Sequence, residues 1–119
     1  MHSDCTVYQT VDMIAKRWSM VIMLEIHRGG GGPKRYSEIK KGLCDITPKV
    51  LSSRLKELEG YGLITKKIDA SSIPVKTEYD LTPMGEEFID VIKGIKHWAL
   101  KWKIDNDVCE HLDCKDCSL

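Results

Sequence analysis

Three cysteines near the end of the sequence, Cys109, Cys114 and Cys117, fall in a C-x4-C-x2-C spacing with His111 between the first two. Thiolates and an imidazole are the donors of tetrahedral zinc. The same spacing with a distant fourth cysteine is that of plant-type iron–sulfur proteins. Cys5 and Cys44 are the further thiols from which another ligand could come. The tail therefore predicts a metal centre through Cys109, His111, Cys114 and Cys117, with zinc placed ahead of an iron–sulfur cluster. The competing reading is a mobile acidic tail with unligated thiols.

A second set of residues carries different chemistry. At about 100° per residue, Lys49, Ser52, Ser53 and Lys56 share one side of a helix whose opposite side holds Leu51, Leu55 and Leu58. An ammonium can donate to guanine or to a phosphate, and a hydroxyl can serve a base edge or the backbone, so this face suits duplex DNA without specifying a sequence. Arg54 lies on the flank one turn from Glu57, where a local ion pair competes with a DNA contact. Enzyme chemistry has no comparable set. There is no H-E-x-x-H, no acid or base is paired with the tail cysteines, and Gly29 to Gly32 is followed by Pro33 rather than by Gly-Lys-Ser/Thr.

The elements that must position these residues follow from capping and periodicity. Ile46-Thr47-Pro48 is a helix start, because Thr can cap and Pro at the first helical position loses nothing by lacking an N–H. The helix should run to about Glu59 and end at Gly60 and Gly62. A short helix from Tyr36 to Leu43 precedes it, with Lys34, Arg35, Lys40 and Lys41 on that preceding element. After it, Leu63 to Ile68 and Lys76 to Leu81 read as a hairpin whose long tip runs from Asp69 to Val75. Thr82-Pro83 repeats the start signal for a long amphipathic helix reaching Lys103. Upstream, two helices are expected to meet near Lys16 and Arg17, and the glycine run must break the second.

Helix, helix, short helix, turn, capped helix, hairpin and long helix is the order of a winged helix-turn-helix. The fold class is mainly α with a small β-hairpin (α+β), with extra N- and C-terminal dimerisation helices. The helix starting at Pro48 would enter the major groove. The expected DNA-binding residues are Lys34, Arg35, Thr47, Lys49, Ser52, Ser53, Arg54, Lys56 and Lys76. Val7, Val11 and Ile14 on the first helix, with Phe88, Val91, Ile95, Trp98 and Trp102 on the last, form apolar stripes too large for a small protein to leave wet, which predicts a homodimer.

At 119 residues the chain fits one domain, expected over residues 1–104, followed by an acidic cysteine-rich tail over residues 105–119. Its zero net charge conceals two opposed segments. Between Pro33 and Lys67 nine basic residues face four acidic ones, and from Asp105 onward five acids face one lysine. A basic middle held apart from an acidic end is compatible with a local footprint on DNA. A polar opening, no apolar run of the roughly 20 residues a membrane span needs, and an odd count of five cysteines predict a cytoplasmic chain with no disulfide scaffold.

Several separated segments resemble the HxlR family of winged helix-turn-helix regulators. Cys5-Thr6-Val7 followed by Asp12-Met13-Ile14-Ala15-Lys16-Arg17-Trp18 is similar to that family's opening, and Gly32 to Ile39 to its G-P-x-R-F-x-E-L segment. Asp45 to Leu51, continuing through Leu55, Glu57 and Leu58, resembles its G-I-S-x-K-x-L stretch. Gly62-Leu63-Ile64 and Pro74 to Thr82 with Gly85 resemble its wing and the helix start beyond. The chain departs from the pattern at Thr6, at Ala15-Lys16 and in the four-glycine loop. The resemblance implies a homodimeric regulator of double-stranded DNA whose terminal helices form the dimer contact. It also implies redox sensing at Cys5, where a thiolate near a helix N-terminus meets oxidants or electrophiles. The expected function is sequence-specific transcription regulation on an inverted-repeat operator, with neither effector nor operator sequence named by these residues. The alternative is a winged-helix module that binds another protein through its last helix.

Overall fold

The computed structural model describes residues 3–117, so the expected domain limits at residues 1 and 119 lie outside the described residues. The order is α1 (Thr6–Ile14), α2 (Ser19–His27), β1 (Lys34–Arg35), α3 (Tyr36–Gly42), α4 (Pro48–Gly60), β2 (Ile64–Asp69), β3 (Lys76–Leu81), α5 (Pro83–Trp102) and α6 (Asp107–His111). The winged helix-turn-helix expected from the sequence is what forms. Both Thr-Pro pairs start helices as their chemistry requires: Thr47 Oγ1 accepts from Val50 N at 3.3 Å, and Thr82 Oγ1 accepts from Gly85 N at 3.0 Å. All four residues of the run Gly29 to Gly32 take positive φ, between 73° and 94°, a conformation that side chains resist.

The sheet is antiparallel with strand order β1-β3-β2, and Lys66 pairs with Tyr79 while Lys34 pairs with Tyr79 from the other side. The hairpin starts and ends within a residue of its expected limits. Two elements have no counterpart in the sequence reading. β1 is only two residues long and exists because β3 offers it an edge, and α6 is one five-residue turn capped by Asn106 Oδ1, which accepts from Cys109 N at 3.0 Å. Neither is long enough to show a period.

The core is built around α2, which contributes the buried Ile22, Met23 and Ile26. Leu51, Leu55 and Leu58 of α4, Leu63 and Ile64, Tyr79 and Leu81, and Ile89 and Ile92 of α5 close on it. Ile14 corrects an expectation. Its spacing assigns it to the dimer stripe, but it is 5% exposed and joins this core. A nine-residue helix must be anchored somewhere, and Ile14 is the one residue of α1 that is buried. Phe88 also turns partly inward against the core.

The start of α5 sits hard against the end of the α4–β2 turn. Thr82 Oγ1 donates to the Gly62 carbonyl at 2.6 Å, and Thr82 N donates to the Leu63 carbonyl at 3.1 Å. At Gly85 an added Cβ would stand 2.1 Å from that same Leu63 carbonyl oxygen. Because the obstacle is backbone, Gly85→Ala is expected to destabilise the fold by about 1–3 kcal/mol through forced displacement of α5. Denaturant unfolding with an unchanged m-value and a lower midpoint would show it.

Candidate nucleic-acid interface

α3 and α4 are the two helices of the motif, and short polar contacts fix their crossing. Tyr36 Oη donates to the Pro48 carbonyl at 3.3 Å and lies 3.4 Å from Ser52 Oγ. Lys40 Nζ donates to the Ile46 carbonyl at 3.3 Å, holding the turn between them. With three leucines inward, α4 leaves Lys49, Ser52, Ser53 and Lys56 exposed on its outer side. An open cleft of 850 Å³ runs from this side to the hairpin wing, lined by Arg35, Tyr36, Ser37, Ser52, Lys56, Glu59, Lys66, Lys76, Thr77 and Tyr79 among others. Four cations from four different elements therefore meet there, with Glu59 as a carboxylate in the same cleft. Burial raises the Tyr79 phenol above its ordinary range, with Glu59 and Tyr36 adding to the effect.

Three expected DNA contacts are engaged elsewhere. In β1, alternation turns Arg35 out and Lys34 in, and the Lys34 ammonium donates to the Glu25 carbonyl. The Thr47 hydroxyl is the α4 cap. Arg54 is drawn back by Arg17, whose carbonyl accepts from its Nε at 3.1 Å, and by Glu57 at 3.1 Å. Lys16 bridges to the other oxygen of Glu57 at 3.2 Å. Trp18, next along, holds a left-handed φ of 82° with the Arg17 guanidinium 5.2 Å from its ring centroid. The α1–α2 junction thus grips α4 from behind. Sequence reasoning does not single out Tyr36 or Lys66 for the interface, although the strand alternation that carries Lys66 is visible in it.

The wing tip is organised by Asp69, whose Oδ1 accepts from Ser71 N at 3.1 Å and from Ser71 Oγ at 2.5 Å, while Oδ2 accepts from Ser72 Oγ at 3.3 Å. The Ser71 hydrogen bonds hold this carboxyl below the usual carboxylate range. Ile73 at the tip is 100% exposed.

The stripe along α5 points away from the core. Trp98 is 58% and Trp102 65% exposed, and Val91 and Ile95 are also open to solvent. On α1, Val7 is 64% exposed and forms with Tyr8, Val11 and Asp12 a shallow cavity of 240 Å³. Cys5 is the N-cap of that helix and is partly exposed.

The tail folds back on the body. Gly29 N donates to the Lys115 carbonyl at 2.9 Å, Lys96 Nζ to the Leu112 carbonyl at 2.7 Å, and Lys93 pairs with Asp113 at 3.0 Å. The Asp113 carboxylate holds Lys93 above its ordinary range, and Asp113 itself is lowered first by the Lys115 N–H and then by Lys93. Cys109, Cys114 and Cys117 line one cavity of 210 Å³. His111 does not join them, because it is exposed and its Nδ1 is 2.8 Å from the Asp107 carbonyl. Among the described residues no three His, Cys, Asp or Glu side chains already stand as a metal-holding group. No helix of the described residues is long and apolar enough to cross a membrane.

Comparison with known proteins gives a consistent result. Residues 13–107 match the HxlR-like helix-turn-helix family. The chain is 35% identical over 94 residues to the uncharacterized HTH-type transcriptional regulator YvaP of Bacillus subtilis, covering 79% of this chain and 83% of that one. Among solved structures it is similar to a MarR-family transcriptional regulator from Porphyromonas gingivalis, with 32% identity, a TM-score of 0.76, and 86% and 96% of the two chains covered. It is also similar to the reduced form of the regulator YodB from Bacillus subtilis, with 30% identity, a TM-score of 0.70, and 87% and 98% covered.

Proposed function

Because this chain belongs to the HxlR-like helix-turn-helix family, and is thus a transcription regulator rather than an enzyme, we propose that it binds an inverted-repeat operator as a homodimer in the cytoplasm. The observation that carries this reading is the cleft between α4 and the wing, where Arg35, Lys56, Lys66 and Lys76 open toward the same space as Ser52. A basic cleft between the exposed side of α4 and the wing suits a duplex whose groove receives the helix while its phosphates meet the cations. Lys49 and Ser53, exposed on the same helix, are free to meet a base edge or a phosphate.

The second copy is supported by α1. A nine-residue helix buried at one position is marginal in water, and its Val7, Tyr8 and Val11 gain stability only by being covered. The exposed α5 stripe offers a matching apolar surface on the same chain, as an isologous contact requires. Cys5, at the start of α1 and beside that face, is the thiol through which oxidants would act on the dimer.

Affinity for an operator fragment, recovered by sequencing genomic DNA retained on the protein, tests this reading through its salt dependence. Four cations per subunit on phosphates predict a log–log slope of about −7 for the dimer. Half-site centres are expected about 34 Å apart, or a multiple of that. A slope near zero would instead favour a protein partner for the α5 stripe.

A further inference from the structure

Ser52 lines the cleft from the first turns of α4, the part of a recognition helix that comes nearest the base edges. A serine hydroxyl left to itself both gives and takes hydrogen bonds, so it distinguishes neither a base from a phosphate nor one base from another. Its neighbour removes that freedom. Tyr36 Oη lies 3.3 Å from the Pro48 carbonyl oxygen and 3.4 Å from Ser52 Oγ. A carbonyl oxygen only accepts and a phenol has a single proton, so that proton goes to Pro48. The Tyr36 oxygen can then meet Ser52 only as an acceptor. Ser52 therefore donates its own proton to Tyr36, and what its oxygen offers the cleft is lone pairs.

An oxygen that presents only lone pairs is repelled by every group of duplex DNA that does the same, namely phosphate oxygens, guanine O6 and N7, and thymine O4. The major-groove donors it can take are the exocyclic amino groups, N6 of adenine and N4 of cytosine. Given an α4 seated in the major groove, the reading on which this rests, we propose that Ser52 is a specificity-determining residue that accepts from the amino group of adenine or cytosine at one position of each half-site. Tyr36 touches no base and is the positioning residue. It belongs to α3 while Ser52 and Pro48 belong to α4, so the contact that sets the crossing of the two helices also sets the polarity of the reading hydroxyl. Lys56 and Lys66, which line the same cleft, remain for the phosphates.

Duplexes with a randomised core are selected on full-length wild type, Ser52→Ala and Tyr36→Phe, and the bound sequences are read. At one position of each half-site the wild type should favour adenine or cytosine over guanine or thymine on one strand by about fivefold, the worth of one good hydrogen bond. Ser52→Ala should flatten that position alone and leave binding to random DNA unchanged. Tyr36→Phe keeps the ring and releases the serine proton, so guanine and thymine should be admitted there while the wild-type site is still bound. A merely structural loss would instead weaken every position alike. Replacing the selected base by its analogue lacking only the amino group should weaken the wild type about fivefold more than Ser52→Ala. Both variants should keep the helical circular dichroism. A Ser52→Ala profile identical to the wild type, a flattened position that selects guanine or thymine, or a Tyr36→Phe profile as sharp as the wild type would each overturn the proposal and leave operator binding standing. A wild type with no preference at any position would overturn both.

Discussion

Trp98→Asp is expected to turn the protein into a folded monomer that no longer holds its operator. Trp98 is 58% exposed in the single chain, so replacing it removes little core packing and the helical circular dichroism should remain. In the dimer the same ring would be buried, and a carboxylate in its place would be desolvated without a partner. An isologous contact repeats every change twice. Taking about 2 kcal/mol for each copy gives about 4 kcal/mol, close to a thousandfold in dimer dissociation. Sedimentation at micromolar concentration reads the outcome directly. Wild type that sediments as a monomer, or a variant that remains dimeric, would remove α5 from the subunit contact.

The triple substitution Lys49→Ala, Ser53→Ala and Lys56→Ala is expected to lower operator affinity at least about a hundredfold, since good base and phosphate contacts are worth roughly 1–3 kcal/mol each. All three side chains are exposed on α4, so stability should change by no more than about 0.5 kcal/mol. Lys49→Ala alone separates two roles. If Lys49 reads a base, specific binding falls more than binding to random DNA. If it touches phosphate only, both fall alike and the salt slope shrinks by about one for each copy. Operator affinity untouched by the triple change would take α4 out of the groove.

Which parts of this molecule are legible in its sequence depends on how local their causes are. Thr47-Pro48 and Thr82-Pro83 carry their caps within four residues, and Leu51, Leu55 and Leu58 repeat at helical spacing, so α4 and the start of α5 follow from neighbouring residues alone. β1 does not, because its partner strand lies far along the chain and only two residues pair. The same applies to individual side chains. Lys34 and Arg54 are basic residues in a basic region, and nothing nearby in sequence says that the Glu25 and Arg17 carbonyls will claim them. Ile14 has the spacing of the α1 stripe but lies where the helix meets the core. For the tail, spacing points to three cysteines acting together, while the side-to-side separation of Cys109 and His111 on α6 depends on a helical turn too short to predict.

The grip of the α1–α2 junction on α4 has a mechanical consequence. Arg54 and Glu57 are held by Arg17 and Lys16, which lie in the short segment between the end of α1 and the start of α2. In a dimer joined through α1, this makes the junction a lever. Its short arm is the subunit seam and its long arm carries the exposed lysines. A small rotation of α1 about the twofold axis would swing the two α4 helices in opposite senses and change the distance between them. DNA is unforgiving of that distance, because half-sites present themselves at intervals set by the helical repeat. Modest strain at the seam would therefore put both reading heads out of phase with the groove, releasing the operator while every residue that touches DNA stays as it was.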